Sequence, residues 1–169
     1  MTPGTSSNSL LANFFQVGYV TRNVDLAIAG LRERVRFGEF QIVHGEAPYR
    51  EVRRIALSWT GATMIELIEP DPDVPSVYTE SLPRADGAVA LHHLGFLTDD
   101  FQATLRRLES EGFSVPMCMS YGDVLDCCYA DARAQFGHYL EYVRLGEQGR
   151  RWFEAVPGFR ATQADARVA

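Results

Sequence analysis

The sequence predicts an α+β fold in which two tandem βαβββ modules share one curved, partly open mixed sheet. Three observations predict it. First, Gln16-Val-Gly-Tyr-Val-Thr21 and His93-Leu-Gly-Phe-Leu-Thr98 stand 77 positions apart (93 minus 16) and agree glycine for glycine and threonine for threonine. Second, Ile65-Glu66-Leu67-Ile68 matches Leu140-Glu141-Tyr142-Val143 at an offset of 75 (141 minus 66). Third, Val24, Ile28 and Leu31 lie over Phe101, Leu105 and Leu108, each set forming one face of an amphipathic helix. Two anchors so far apart at nearly equal offsets indicate an internal duplication.

Each half then reads in the same order. A strand over 14–21 leads into a helix over 24–36, with Asn23 as its N-cap. Strands over 38–44, 51–59 and 62–68 follow. In the second half the strand covers 91–98 and the helix 100–111, stopped by Gly112. Strands over 113–119, 123–130 and 137–144 complete it. The expected organisation is a flexible N-terminal tail at 1–12 and a single domain at 13–146, made of modules 13–70 and 90–146. The linker at 71–89 is rich in Pro and Asp and belongs on the surface. A C-terminal extension at 147–169 carries an amphipathic piece around Trp152 and Phe153, then a loose tail.

Composition narrows the chemistry. The 169 residues are 46% apolar and 22% charged, the balance of a globular protein. The net charge of −6 with no basic stripe argues against a nucleic-acid partner. All sixteen basic residues are arginine, which excludes a lysine Schiff base and a phosphate-binding P-loop lysine. Cys118, Cys127 and Cys128 form no C-x-x-C pair and no zinc spacing, so they read as strand or core residues. No signal segment and no membrane-length apolar run is seen, and the expected location is the reducing cytoplasm.

Strand alternation sets which residues face the concave side of the sheet. Phe15, Val17 and Tyr19 form one apolar row expected under the helix, with Gln16 facing the other way beside Phe14 and Gly18. His93 shares a side with Gly95, and His92 points with Leu94 and Phe96. Glu66 and Glu141 lie in mid-strand among apolar neighbours, costly unless paired, hydrogen-bonded or bound to metal. The bland alternative for each is a solvent-facing residue on a half-exposed sheet. Gln16, Glu66, His93 and Glu141 occupy matching repeat positions and converge in the concavity. One imidazole nitrogen and three oxygen donors suit a divalent ion such as Zn, Ni, Co, Mn or Fe(II). His92, His44 and His138 read as structural, with a place at the pocket left open for His138. Arg53 and Arg54 read as solvated, although a pair of this kind could hold a carboxylate or phosphate. Trp59, Phe14 and Tyr121 fit either pocket walls or core.

The H-x-G-like starts (Gln16-Val-Gly18 and His93-Leu-Gly95) and the I-E-L-I-E-P and Y-L-E-Y-V strands resemble the vicinal oxygen chelate superfamily over residues 14–145. That group contains glyoxalase I, methylmalonyl-CoA epimerase, extradiol dioxygenases and bleomycin-resistance proteins. The resemblance implies a concave metal site with Gln16, Glu66, His93 and Glu141 as ligands, similar to the set of one class of glyoxalase I. It implies Glu141 as base and Glu66 as second ligand or partner base, roles that could be exchanged. It also implies a homodimer. The expected function is a metal-dependent isomerase, epimerase or lyase moving a proton next to a carbonyl of a small-molecule or thioester substrate. The stretch Asp131-Ala-Arg-Ala-Gln-Phe-Gly137 departs from the epimerase, which has a His-Pro-containing loop there. Two alternatives stand beside this. An Fe(II) extradiol dioxygenase needs a histidine where Gln16 stands, and a non-catalytic binder would use the concavity as a ligand cleft.

Overall fold

β-Branched and aromatic runs broken by glycines and turn residues form eight strands and four helices in the computed structural model, which describes residues 9–45 and 50–160. The first module comprises β1 (Phe14–Val20), α1 (Val24–Val35), β2 (Gln41–His44), β3 (Val52–Thr60) and β4 (Thr63–Pro70). The second comprises β5 (Ala90–Leu97), α2 (Phe101–Ser110), β6 (Met117–Ser120), β7 (Leu125–Ala130), a short α3 (Arg133–Phe136) and β8 (Tyr139–Leu145). A final helix, α4 (Glu147–Ala155), follows. The eight strands form one sheet in the order β2-β3-β4-β1-β5-β8-β7-β6. β1 runs parallel to β4 and β5 parallel to β8, while β1 and β5 pair antiparallel at the junction of the modules. The mixed sheet with duplicated βαβββ order is the fold expected from the repeat.

α1 begins at Asn23, whose side chain accepts from the Asp25 and Leu26 N–H groups, and Glu69 Oε2 accepts from the Val24 N–H at 2.8 Å. Glu69 and Asp25 in turn hold Arg54 at 2.7 Å, so that arginine lies on the helix side of the sheet. α1 packs Val24, Ala27 and Ile28 on Ala56 and Leu67. α2 packs Phe101 and Leu108 on Cys128, Ala130, Leu140 and Tyr142. On the opposite, concave face lie two apolar clusters. One gathers Phe15, Leu57, Trp59, Met64, Val143 and Phe153, and the other Val20, Ile68, Tyr78, Tyr129 and Tyr139.

The simple alternation expected for the two central strands fails at one residue in each. The β1–β5 register shifts between Phe14 and Gln16 and again between Gly18 and Tyr19, where Gly18 pairs with His93 but Tyr19 with Leu91. Phe15 and His92 are therefore the extra residues of two β-bulges, which let two consecutive side chains project on one side. Phe14, not Phe15, packs on the helix side against Phe96, while Phe15 joins the concave cluster against Phe153. His92 likewise turns to the concave side, among Tyr78, Tyr129 and Tyr139, instead of pointing with Leu94 and Phe96. The repeat aligns Phe15 with His92, so the bulges are duplicated along with the modules.

The segments flanking the modules are more ordered than their composition implies. Residues 9–12 form a turn whose Leu10 carbonyl accepts from Tyr142 Oη at 3.1 Å. The Pro- and Asp-rich linker carries a 3-10 turn at Thr79–Ser81 and buries Tyr78. α4 seats Phe153 on the concave cluster, and the Phe153 carbonyl accepts from the Trp59 indole N–H at 3.0 Å. The tail expected beyond this helix extends into residues 161–169, which lie outside the described residues, as do residues 1–8. Phe153→Ala is expected to lower stability by about 3–4 kcal/mol. Urea denaturation should show a lower midpoint with an unchanged m-value.

Candidate metal centre

The concave face carries a polar cluster between its two apolar ones. On β4, Glu66 stands between Met64 and Ile68; on β8, Glu141 stands between Tyr139 and Val143, with all four neighbours buried. His93, fully buried on β5, directs Nε2 to within 3.2 Å of Glu66 Oε2 and 3.3 Å of Glu141 Oε2. One ligand atom from each of the three residues falls within 4.8 Å of the others, the one such group found among the described residues. Gln16 lines the same cavity, its Nε2 donating to Met64 Sδ at 3.6 Å. The structure thus brings Glu66, His93 and Glu141 into one cluster and sets Gln16 beside them, all within a single chain.

Glycines make the crossing of the modules possible. Gly18 pairs with Glu66 on one side and His93 on the other, and a Cβ at Gly18 would sit 1.9 Å from His93 Cε1. Gly95 pairs with Gln16 and Glu141, and a Cβ there would sit 2.7 Å from Gln16 Oε1. The glycine in each H-x-G-like start therefore clears space for the first-strand polar residue of the other module. That is the physical content of the motif.

A hydrogen-bond chain fixes the His93 ring. The Val77 carbonyl lies 3.1 Å from His92 Nε2 and can only accept, so His92 carries its proton there. Burial, then the positive charge on His93, lowers the His92 pKa to about 3, leaving Nδ1 bare. His92 Nδ1 lies 3.0 Å from His93 Nδ1 and accepts from it. His93 Nε2 is therefore the nitrogen presented to the carboxylates. Burial disfavours the His93 cation, yet Glu141 and Glu66 outweigh it and push its pKa up to about 9. Burial also raises Glu66, with His93 opposing and Glu141 reinforcing that shift.

Gln16 Oε1, Glu66 Oε2, His93 Nε2 and Glu141 Oε2 are all buried without an aligned hydrogen-bond partner. Orphaned buried polar atoms are rare in native proteins. Here the His93 nitrogen and two carboxylate oxygens meet only one another, and Gln16 Oε1 meets nothing, a donor set that fits a divalent ion of intermediate hardness. Above them opens a cavity of about 610 Å3 whose walls are mostly apolar.

The family model described as the Glyoxalase/Bleomycin resistance protein/Dioxygenase superfamily matches residues 15–125. The chain belongs to this superfamily. Among solved structures, it is similar to methylmalonyl-CoA epimerase from Mycobacterium tuberculosis, at 22% identity and a TM-score of 0.62, covering 84% of this chain and 93% of that one. A variant Streptomyces coelicolor methylmalonyl-CoA epimerase in complex with 2-nitronate-propionyl-CoA aligns at 20% identity and a TM-score of 0.59, covering 78% and 96%. These likenesses carry the superfamily fold. A comparison with curated protein sequences gave no match. No helix among the described residues is long and apolar enough to cross a membrane.

Sequence reasoning did not find Tyr78 and Tyr129. Their hydroxyls, 3.2 Å apart, are buried at the cavity beside Glu66 and Glu141, and burial holds both phenols neutral, well above their ordinary range. Tyr78 donates to Tyr129, so the Tyr129 proton is left for an acceptor in the cavity. Tyr129 follows Glu141 across the β7–β8 register, a signal that strand pairing alone would have supplied. Tyr78 sits in the linker and had no such signal. Arg53 pairs with Asp71 at 3.3 Å, and Arg54 pairs with Asp25 and Glu69 on the helix side.

Gly18→Ala is expected to displace the His93 ring and abolish divalent-ion uptake, read by calorimetric titration. Gly95→Ala should also weaken uptake, because a Cβ there would lie 2.8 Å from Gln16 Cβ, which cannot swing aside, as well as 2.7 Å from Gln16 Oε1. Below its pKa His93 carries a proton on Nε2 that an incoming ion must displace. Apparent ion affinity should therefore rise with pH, by about tenfold per unit between pH 7 and 9 and level off above, with proton release visible as a buffer-dependent heat.

Proposed function

We propose that the chain is a metal-dependent enzyme of the glyoxalase and epimerase type, which moves a proton on the carbon beside a carbonyl. Four buried polar atoms without an aligned hydrogen-bond partner, three of them on residues that line one cavity, carry this reading. Glu66, His93 and Glu141, with Gln16 Oε1 beside them, would hold one divalent ion. Such an ion supplies Lewis acidity toward the oxygen that becomes anionic as the proton leaves. The structural relatives named methylmalonyl-CoA epimerase support the same reaction class.

The chain's own residues divide the remaining work. Glu141 Oε2 accepts the proton from the substrate carbon. Glu66, on the other side of His93 Nε2, is placed to return one. With the two carboxylates on either side of one imidazole, removal and return can occur from different directions, the requirement for inverting a carbon centre. Tyr129 offers its O–H to a substrate oxygen, and the aliphatic and aromatic walls keep water from competing for the proton. An extradiol oxygenase reading has Gln16 where it needs histidine and gains no support.

The test is ion content after incubation with Zn, Ni, Co, Mn or Fe(II) in turn, followed by desalting. The wild type should retain about one ion per chain, and a His93→Ala, Glu141→Ala double variant none. Glu141→Gln should then slow solvent-deuterium incorporation into α-hydroxyketone or acyl-thioester substrates by roughly a hundredfold or more. A wild type that retains none of the five ions overturns the proposal.

A further inference from the structure

We propose that the cavity selects an uncharged, largely apolar small molecule, carrying neighbouring oxygens at the end that meets Glu66, His93 and Glu141, and that it rejects anions. The requirement for neighbouring oxygens rests on the proposed function; the requirement for a neutral, apolar body rests on the walls alone.

Those walls come from both modules. Val43 and Ile55 line one side, Met117, Met119 and Leu125 the other, and Trp152 of α4 closes over them. No arginine lines the cavity among the described residues, and the chain contains no lysine. Its carboxylates, by contrast, are three: Glu51, Glu66 and Glu141. Three arginines elsewhere on the molecule are already engaged. Arg53 is paired with Asp71, Arg54 with Asp25 and Glu69, and Arg133 with Asp131 and Glu80. A phosphate or carboxylate on the body of a ligand would thus leave water to meet apolar walls and acidic groups, with no fixed cation besides His93, which Glu66 and Glu141 already engage. The two methionines are flexible and polarisable, and suit an aromatic or branched body of variable outline. The volume, about 610 Å3, is ample for a two-ring molecule.

Two dyes that differ by one sulfonate test this directly: N-phenyl-1-naphthylamine, which is neutral, and 1-anilinonaphthalene-8-sulfonate. Fluorescence titration of the EDTA-treated full chain should show the neutral dye binding at least about tenfold more tightly. Propionyl-CoA at millimolar concentration should not displace it. Met119→Arg places a cation on the wall and should reverse the preference; Val43→Arg does the same from the facing module, should the first variant fold poorly. Equal binding of the two dyes, displacement by propionyl-CoA, or an unchanged preference in both folded variants overturns the proposal. Ion content of the same preparations separates the two readings. Ion uptake without dye discrimination defeats the substrate class alone, whereas dye discrimination without ion uptake defeats the proposed reaction and leaves the neutral, apolar preference in place.

Discussion

Glu66 and Glu141 are buried on a sheet face otherwise built of Met, Ile, Val and aromatic side chains, and two like charges so placed repel each other. The arrangement holds because His93 stands between them, its Nε2 within 3.3 Å of both. Several features of the concave face serve that contact. Gly18 leaves room for the ring, His92 and the Val77 carbonyl fix which nitrogen faces the carboxylates, and Tyr129 packs against the ring 5.2 Å away. The proton on His93 offsets the charge of the carboxylate pair, and under the proposed function a divalent ion would take over that role once the proton is lost.

The duplicated bulges explain how so narrow a strand pair holds so much. A regular strand offers its concave face one side chain in two. By inserting Phe15 and His92, β1 and β5 each offer consecutive residues, so an apolar anchor sits next to Gln16 and a hydrogen-bonding support sits next to His93. The bulge in β1 serves packing against α4, and the one in β5 serves orientation of His93. Equivalent geometry has been put to different uses in the two modules.

Much of this was legible in the residues. The repeat placed all eight strands and both long module helices, because duplicated hydrophobic patterns constrain each other. Parity correctly put Gln16, Gly18, His93 and Gly95 on one face. It failed at Phe14, Phe15 and His92, since a bulge leaves no mark in a pattern where both candidate positions are aromatic. Tyr78 could not be read at all. It lies among Pro, Asp and Ser, a composition that signals a surface connection, and only the tertiary path of the linker carries it inward. The helix at Glu147–Ala155 was visible as an amphipathic piece, but its role in filling one end of the concavity depends on Phe15 having turned to meet it.

The crossing of the first-strand polar residues over glycines bears on how such a cluster can arise. Two identical modules related by a two-fold axis would present the same first-strand residue twice, either two histidines or two glutamines. A mixed set, with His93 on one side and Gln16 on the other, needs two modules free to drift apart while remaining in one-to-one proportion. A tandem gene guarantees that proportion at synthesis. The linker is thus more than a tether. It ensures that every histidine-bearing half meets one glutamine-bearing half, and it delivers Tyr78 to the seam they create.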